Sequence, residues 1–422
     1  MAESKTKRSI LVYAHWRGIA EPLLMGTLIS DRLKGKEIFS FEYNEDWLKK
    51  GPSHLLDPGL QLFSGPHYVS QEQENFGIFL DSSPDRWGRI LMRRREAALA
   101  RVEKREETKL FETDYLLGVF DGHRMGALQF KLEEDGPFLN DNKQMATPPW
   151  TSIRELEQIS LKLEEGDIMD DPKYLKWLAM LVAPGSSLGG ARPKASITDA
   201  KGDLWIAKFP SQNDSGDVGA WEMVTYELAL EARVQMAESM AQKFSSHHHT
   251  FLTKRFDRTA NGERIHFASA MTMLGYSDGQ DHKDGISYLE IAEFIQNHGA
   301  NVSGDLEELW RRIVFSICVS NTDDHLRNHG FLLTDQGWLL SPAYDINPVE
   351  TGTGLKLNIS DTDNALDLDL ALEVSEFFRL NLSRAKEIID EVKNAVAKWP
   401  SIATKYGISR TEQELKSNAF RF

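Results

Sequence analysis

The chain is 422 residues long, with 64 acidic against 49 basic residues for a formal net charge of −15, and 41% of it is hydrophobic. That much apolar side chain offsets the entropy of ordering a backbone, which excludes extended disorder, and the length calls for two or three packed regions. The acidic balance points to weak non-specific affinity for nucleic acid or anionic lipid unless basic residues gather on one face.

Short alternating segments with turn residues open the chain. The first residues, MAESKTKRSILVYAHW, hold only a four-residue apolar run, short of a signal peptide or membrane span, so a cytoplasmic location without a membrane partner is expected. FGIFLDSSPDRWGRILMRRREAALARVEKREE reads as a helix pair around Pro84. Its basic residues, among them Arg86, Arg89, Arg93 and Arg101, are interleaved with Glu and Ala and read as a solvated helix face. DYLLGVFDGHRMGALQFKLEEDGPFLND returns to strands and Gly-bearing turns, and the Pro-rich ATPPW near residue 148 marks a soft boundary that closes a first region, 1–150.

The second region, 151–260, runs helix (TSIRELEQISLKLEE), Gly-rich turn (GSSLGGARPK), two strands about the turn DAKGD, long helix (AWEMVTYELALEARVQMAESMAQ) and strand (TFLTKRFDR). That order is how a nucleotide-clamping small lobe is assembled. Lys208, in the second strand LWIAKFP, lies in an apolar setting where a charge is costly unless an anion meets it, and ATP phosphates would. Glu222, early in the following helix, is the candidate carboxylate to hold this lysine, with a plain first-turn Glu as the equal alternative. His247, His248 and His249 are consecutive, alternate in direction, and read as a loop triplet and not a metal site.

The third region, 261–422, is largely helical: EELWRRIVFSICVSN, LDLDLALEVSEFF, SRAKEIIDEVKNAVAKW and TEQELKSNAF all carry helical spacing. The single cysteine, Cys318, reads as a buried hydrophobe in a reducing compartment. Trp205, Trp221, Trp310 and Trp338 suit core packing. The strongest signal is NTDDHLRNHGFLLTDQGWLLSPAYDINP, residues 321–348. Asp323 and Asn328 have the spacing of the catalytic Asp and metal-binding Asn of a protein-kinase loop, and a hairpin then delivers Asp345. Phosphoryl transfer to an alcohol needs a carboxylate to accept the hydroxyl proton, here Asp323, and oxygen ligands for Mg²⁺, here Asn328 and Asp345. His325 is expected to orient the loop by a hydrogen bond.

These segments resemble the HipA family of serine/threonine kinases, the toxins of bacterial toxin–antitoxin pairs. FGIFLDSSPDRWGR, DYLLGVFDGHRMGALQF, GSSLGGARPKASI, WIAKFP, KRFDR, NTDDHLRN and LSPAYDI follow in the family's order. The resemblance implies an α+β, two-lobed, protein-kinase-like fold with a small mixed N-terminal subdomain and a mostly helical C-terminal lobe. It implies ATP and Mg²⁺ as cofactors, with Lys208 on the phosphates and Gly189, Gly190, Ala191 and Lys194 lining the loop over ATP. Lys254 and Phe256 resemble the adenine hinge, with Asp257 near the ribose. Ser187, or Ser186, takes the place of the autophosphorylated serine, where added negative charge would repel ATP phosphates. The implied partners are a HipB-like helix-turn-helix antitoxin, through which operator DNA is bound, and a protein substrate, an aminoacyl-tRNA synthetase in known members. Two other classes share parts of this reading: a small-molecule kinase, and a catalytically silent corepressor module.

Overall fold

The computed structural model describes residues 7–70, 73–143, 148–165, 171–182, 190 and 192–422. The chain divides into two compact units, Met1–Ile206 with Asp257–Ser277, and Ala207–Phe256 with Asp278–Phe422.

In the first unit, alternation of buried and exposed side chains makes strands. Along β1 (Lys7–Ala14) the residues Ile10, Val12 and Ala14 turn inward and their neighbours outward. β2 (Leu23–Leu33) and β3 (Lys36–Tyr43) form a hairpin closed by Lys34 and Gly35, both at positive φ (50° and 78°), the two-residue turn whose twist matches the flanking strands. After α1 (Glu45–Lys50), the short β4 (Pro66–Tyr68) takes one edge of the sheet.

The helix pair about Pro84 is present as α2 (Gly77–Asp81) and α3 (Arg86–Glu103), the latter N-capped by Asp85, which accepts from the Gly88 N–H at 2.8 Å. The basic face of α3 is largely solvated, with Arg86, Arg93 and Arg101 exposed, and some of the nearby arginines are paired. Arg89 pairs with Glu112, Arg105 with Glu96, and Arg94 donates to the Leu163 carbonyl at 2.8 Å. DYLLG forms a helix, α4 (Glu112–Gly118), where a strand was expected. Asp114 decides it: its carboxylate accepts from the Phe111 N–H at 3.0 Å and meets Arg8 and Arg32 at 2.8 Å each, so a helix start is fixed by partners far away in sequence.

β5 (Leu128–Lys131) pairs with β1 and completes a five-stranded sheet in the order β4-β3-β2-β1-β5. Then come α5 (Ile153–Glu165), α6 (Tyr174–Val182), β6 (Lys194–Thr198) and β7 (Leu204–Lys208). The DAKGD turn between β6 and β7 is organised by Asp199, whose carboxylate accepts from the N–H groups of Lys201 and Asp203 and from the Trp205 indole.

The second unit begins within β7, after Ile206. α7 (Val218–Glu231) stops well before the end of the helical pattern read from sequence, and Ser239–Gln242 is a strand, β8. Arg233 turns left-handed (φ 61°) and Val234 N–H closes back on the Ala229 carbonyl at 2.8 Å, a Schellman-type stop. The segment beyond finds extended partners: Ala343 N–H to Gln235 O, Ala237 N–H to Ala343 O, and β9 (Thr250–Lys254) antiparallel to β8. Tertiary pairing overrides local propensity here.

The chain revisits the first unit through β10 (Phe267–Ser269) and α8 (Ala270–Met273), then remains in the second. α9 (Tyr288–His298) leads to α10 (Val302–Cys318), which is buried along most of its length around Trp310 and Phe315. The expected hairpin follows as β11 (Gly330–Thr334) and β12 (Gly337–Leu340), with Phe331 opposite Leu340. α11 (Leu368–Glu373), α12 (Leu382–Val396), α13 (Trp399–Lys405) and α14 (Arg410–Lys416) complete the helical part. All four tryptophans singled out above are buried, as is Cys318, whose thiol burial pushes up to about 12. Among the described residues, no helix is long and apolar enough to cross a membrane.

Candidate active site

Lys208 ends β7 almost fully buried, and two carboxylates meet it. Its ammonium donates to Glu222 Oε1 at 2.5 Å and to Asp345 Oδ1 at 2.7 Å. Burial alone would lower the lysine's pKa; Asp345 and Glu222 outweigh it and hold the group cationic. Of the two readings open for Glu222, the one in which it holds Lys208 is formed, and Asp345, just beyond the hairpin, meets the same lysine. Asp345 itself adopts a left-handed backbone (φ 59°), a conformation disfavoured for residues other than glycine and met at positions where the surroundings dictate the direction of a side chain.

The loop after α10 is drawn together by its own backbone. Ser320 also turns left-handed (φ 49°), His325 N–H donates to the Asp323 carbonyl at 3.0 Å, and Asn328 Nδ2 donates to the same carbonyl at 3.1 Å. Asp323 thereby presents its side chain to solvent while Asn328 is buried. His325 contributes to this through its main chain; among the described residues no hydrogen bond reaches its buried Nδ1.

Two contacts tie this loop to Asp345. Tyr344 Oη donates to the Arg327 carbonyl at 2.7 Å, and Asn347 N–H donates to Asn321 Oδ1 at 3.2 Å while Asn347 Nδ2 reaches Asp345 Oδ1 at 3.3 Å. Asn328 Oδ1 and Asn347 Oδ1 are both buried without a hydrogen-bond partner among the described residues. Uncommitted buried carbonyl oxygens are costly unless a cation or donor meets them. Carboxamide oxygens and a single carboxylate are the hard, low-charge donors that suit Mg²⁺, which takes one or two protein carboxylates and completes its shell from water and phosphate. Among the described residues there is no cluster of three or more His, Cys, Asp or Glu able to hold a metal.

Sequence reasoning left Asp324 undecided and missed its partners. Its carboxylate is buried under the loop, accepting from Tyr288 Oη of α9 at 2.6 Å and lying 3.1 Å from His329 Nε2. Burial would raise its pKa, but His329 and Tyr288 hold the carboxyl below the usual range. Asp324, between Asp323 and Asn328 in sequence, thereby fixes the loop from beneath to α9 and to His329. Asn347 was equally missed, although it lies two residues past Asp345 within the strongest segment.

The remaining expected residues are placed as follows. Lys194, in the first unit, is 3% exposed and donates to Asp85 at 2.9 Å and to the Gly190 carbonyl at 3.3 Å. Asp257, in the same unit, is fully buried, accepting from the Gly126 N–H at 2.9 Å and pairing with Arg258 at 2.7 Å, which makes it an anchor for the chain around it. In the second unit Lys254 is half-buried, 3.8 Å from Glu238, and the Phe256 ring lies 5.6 Å from that of Tyr344. Ser186, Ser187, Gly189 and Ala191 lie outside the described residues. Of the histidine triplet, His247 is exposed as expected. His249 is instead buried, its ring 2.6 Å from the Asp217 carboxylate, because Asp217 caps α7 and needs a donor on its other side.

A profile of the HipA-like C-terminal domain matches residues 186–399, half of the chain. The chain belongs to that family. Its fold is similar to that of the Shewanella oneidensis MR-1 toxin–antitoxin protein HipA, solved with HipB and its operator DNA, at a TM-score of 0.65 and 17% identity, over 97% of this chain and 94% of that one. Among curated proteins, the HipA-like chain is 27% identical over 179 residues to a Haemophilus influenzae protein named "Putative kinase", matching 38% of this chain and 52% of that protein. It is 29% identical over 221 residues to "Putative kinase Y4dM" of Sinorhizobium fredii, matching 46% of this chain and 52% of that protein. The chain thus spans about half the length of the curated relatives it matches.

Proposed function

We propose that this HipA-like chain transfers the γ-phosphoryl group of ATP to a serine or threonine hydroxyl of another protein. The observation that carries the reading is the buried Lys208 ammonium held between Glu222 at 2.5 Å and Asp345 at 2.7 Å, with Asp345 linked through Asn347 to the loop of Asp323 and Asn328. Lys208 meets nucleotide phosphates, and Glu222 keeps it aimed when Asp345 is drawn to other work. Asn328 and Asp345 would hold Mg²⁺, with the Asn347 oxygen beside them; the ion supplies neutralising charge on the phosphate oxygens. Lys254 and Phe256 hold the adenine.

Asp323 performs the proton transfer. Its exposed carboxylate accepts the proton of the attacking hydroxyl as the new O–P bond forms and the bond from the γ-phosphorus to the β–γ bridging oxygen breaks. Ser187 or Ser186 is the self-modified residue that switches the enzyme off. The assembly of the Shewanella HipA with HipB and operator DNA supports an equivalent helix-turn-helix antitoxin here, carrying the DNA contact for a chain whose own net charge is −15.

Incubation with labelled ATP and Mg²⁺ in a cell lysate, followed by phosphopeptide mapping, tests this. The expected result is phosphoserine or phosphothreonine on a discrete lysate protein and phosphate at Ser186 or Ser187. Label recovered only on small alcohols or sugars would replace the protein-kinase reading with that of a small-molecule kinase.

A further inference from the structure

Residues 409–416 read locally as a helix with a capping box: Ser409 followed three residues later by Glu412, a pattern in which the Glu normally folds back onto the cap residue's own N–H. Half of that is realised, since Ser409 Oγ accepts from the Glu412 N–H at 3.2 Å. The Glu412 carboxylate goes elsewhere. One oxygen, Oε1, accepts from the Asp217 N–H at 2.9 Å and from the Trp221 indole N–H at 2.8 Å, both across more than 190 residues of chain.

Those two donors belong to the start of α7, the helix that carries Glu222. Asp217 is its N-cap, accepting from the Ala220 N–H, and Trp221 immediately precedes Glu222. Gly216 leaves room for the contact: a Cβ there would come within 2.5 Å of Glu412 Oε1. The residues after α14 continue the attachment. Phe420 stacks on Trp399 at 4.5 Å and approaches Trp221 at 6.0 Å, Arg421 N–H donates to the Cys318 carbonyl at 2.7 Å, and Arg421 Nε donates to Ser320 Oγ at 3.0 Å, at the root of the Asp323 loop. One short segment therefore grips the helix that positions Glu222 and the turn that starts the catalytic loop.

We infer that Glu412 is a positioning residue for the Lys208–Glu222 pair, an inference that rests on the kinase reading above. In a kinase the lysine–glutamate pair works only when its helix is correctly seated, and control of that helix from outside the site is how such enzymes are tuned. Here the seat is the α14 carboxylate. Glu412 touches neither nucleotide nor substrate, and acts by fixing the register of α7, so that Glu222 aims Lys208 at phosphate.

The test uses the full chain and titrates two probes, Mg-ATP and adenosine, into wild type, Glu412→Ala and Glu412→Gln. Adenosine lacks the phosphates that Lys208 meets, so a positioning role separates the probes where a general loss of structure would not. Glu412→Ala is expected to weaken Mg-ATP binding roughly tenfold, with a matching rise in KM for ATP, and to leave adenosine binding unchanged. Glu412→Gln keeps an acceptor oxygen and is expected to stay within about threefold of wild type. Trp221→Phe removes only the indole donor and serves if Glu412→Ala does not fold; it should shift ATP and not adenosine in the same sense. Equal losses for both probes, or unchanged Mg-ATP affinity in Glu412→Ala, overturn the inference while the wild type still binds ATP. A wild type that binds no ATP overturns this inference together with the reading beneath it.

Discussion

Asn328 Nδ2 donates to the backbone carbonyl of Asp323 at 3.1 Å, so the residue proposed to hold the metal also fixes the main chain of the residue proposed to take the proton. Asn328→Ala removes both the tether and the buried oxygen. The expected outcome is a loss of about 1 kcal/mol of stability in denaturant unfolding and, separately, a rise in the Mg²⁺ concentration needed for half-maximal transfer. Unchanged Mg²⁺ dependence would remove Asn328 from the metal site.

Lys208→Met keeps the length of the side chain and deletes its charge. The buried Glu222 and the part-exposed Asp345 would then be left without their cation. Breaking a buried ion pair from one side costs about 3 kcal/mol or more, so thermal unfolding should show a clear drop in Tm along with loss of phosphoryl transfer. Replacement of both Lys208 and Glu222 by apolar residues should recover part of the stability and none of the activity.

Tyr288→Phe deletes one hydroxyl, the donor to Asp324 at 2.6 Å. A buried carboxylate that loses a donor pays about 1–3 kcal/mol, and here the carboxylate lies between Asp323 and Asn328 in sequence. We expect lower stability by urea titration and a fall in kcat of roughly tenfold with KM for ATP little changed, because the affected loop is the one proposed to serve the transfer step.

His266 provides a pH dependence in the first unit. The imidazole is fully buried, stacked on Trp16 at 5.1 Å, and burial lowers its pKa from 6.5 to about 3. The unfolded chain therefore binds a proton between those two values that the folded chain refuses, so the contribution of His266 is present above pH 6.5 and drains away as pH falls toward 3. Each unit in that window costs about 1.4 kcal/mol. His266→Phe keeps the stack on Trp16 and should flatten the acid limb of a stability–pH curve; an unaltered slope would show that other groups dominate it.

Where local pattern and tertiary demand agreed, the elements were legible in the sequence. The α3 start at Asp85, the DAKGD turn, α10, and the GFLLT and WLLS hairpin each carry their own signal in adjacent residues, and Lys208 was betrayed by a charge in an apolar strand. What failed to show was decided at a distance. α4 depends on Asp114 meeting Arg8 and Arg32, α7 stops because Gln235–Ala237 pairs with Ala343, and Glu412 abandons its capping box for Trp221. The Tyr288–Asp324–His329 clamp belongs to the same class: three ordinary residues whose meaning lies in a burial that no spacing rule anticipates.

Asp323 is proposed to take the proton of the attacking hydroxyl during phosphoryl transfer. Asp323 is exposed, so Asp323→Asn should melt within about 0.5 kcal/mol of wild type while its rate of labelled-phosphate transfer falls by roughly a hundredfold or more. Transfer by Asp323→Asn at the wild-type rate would contradict the account directly.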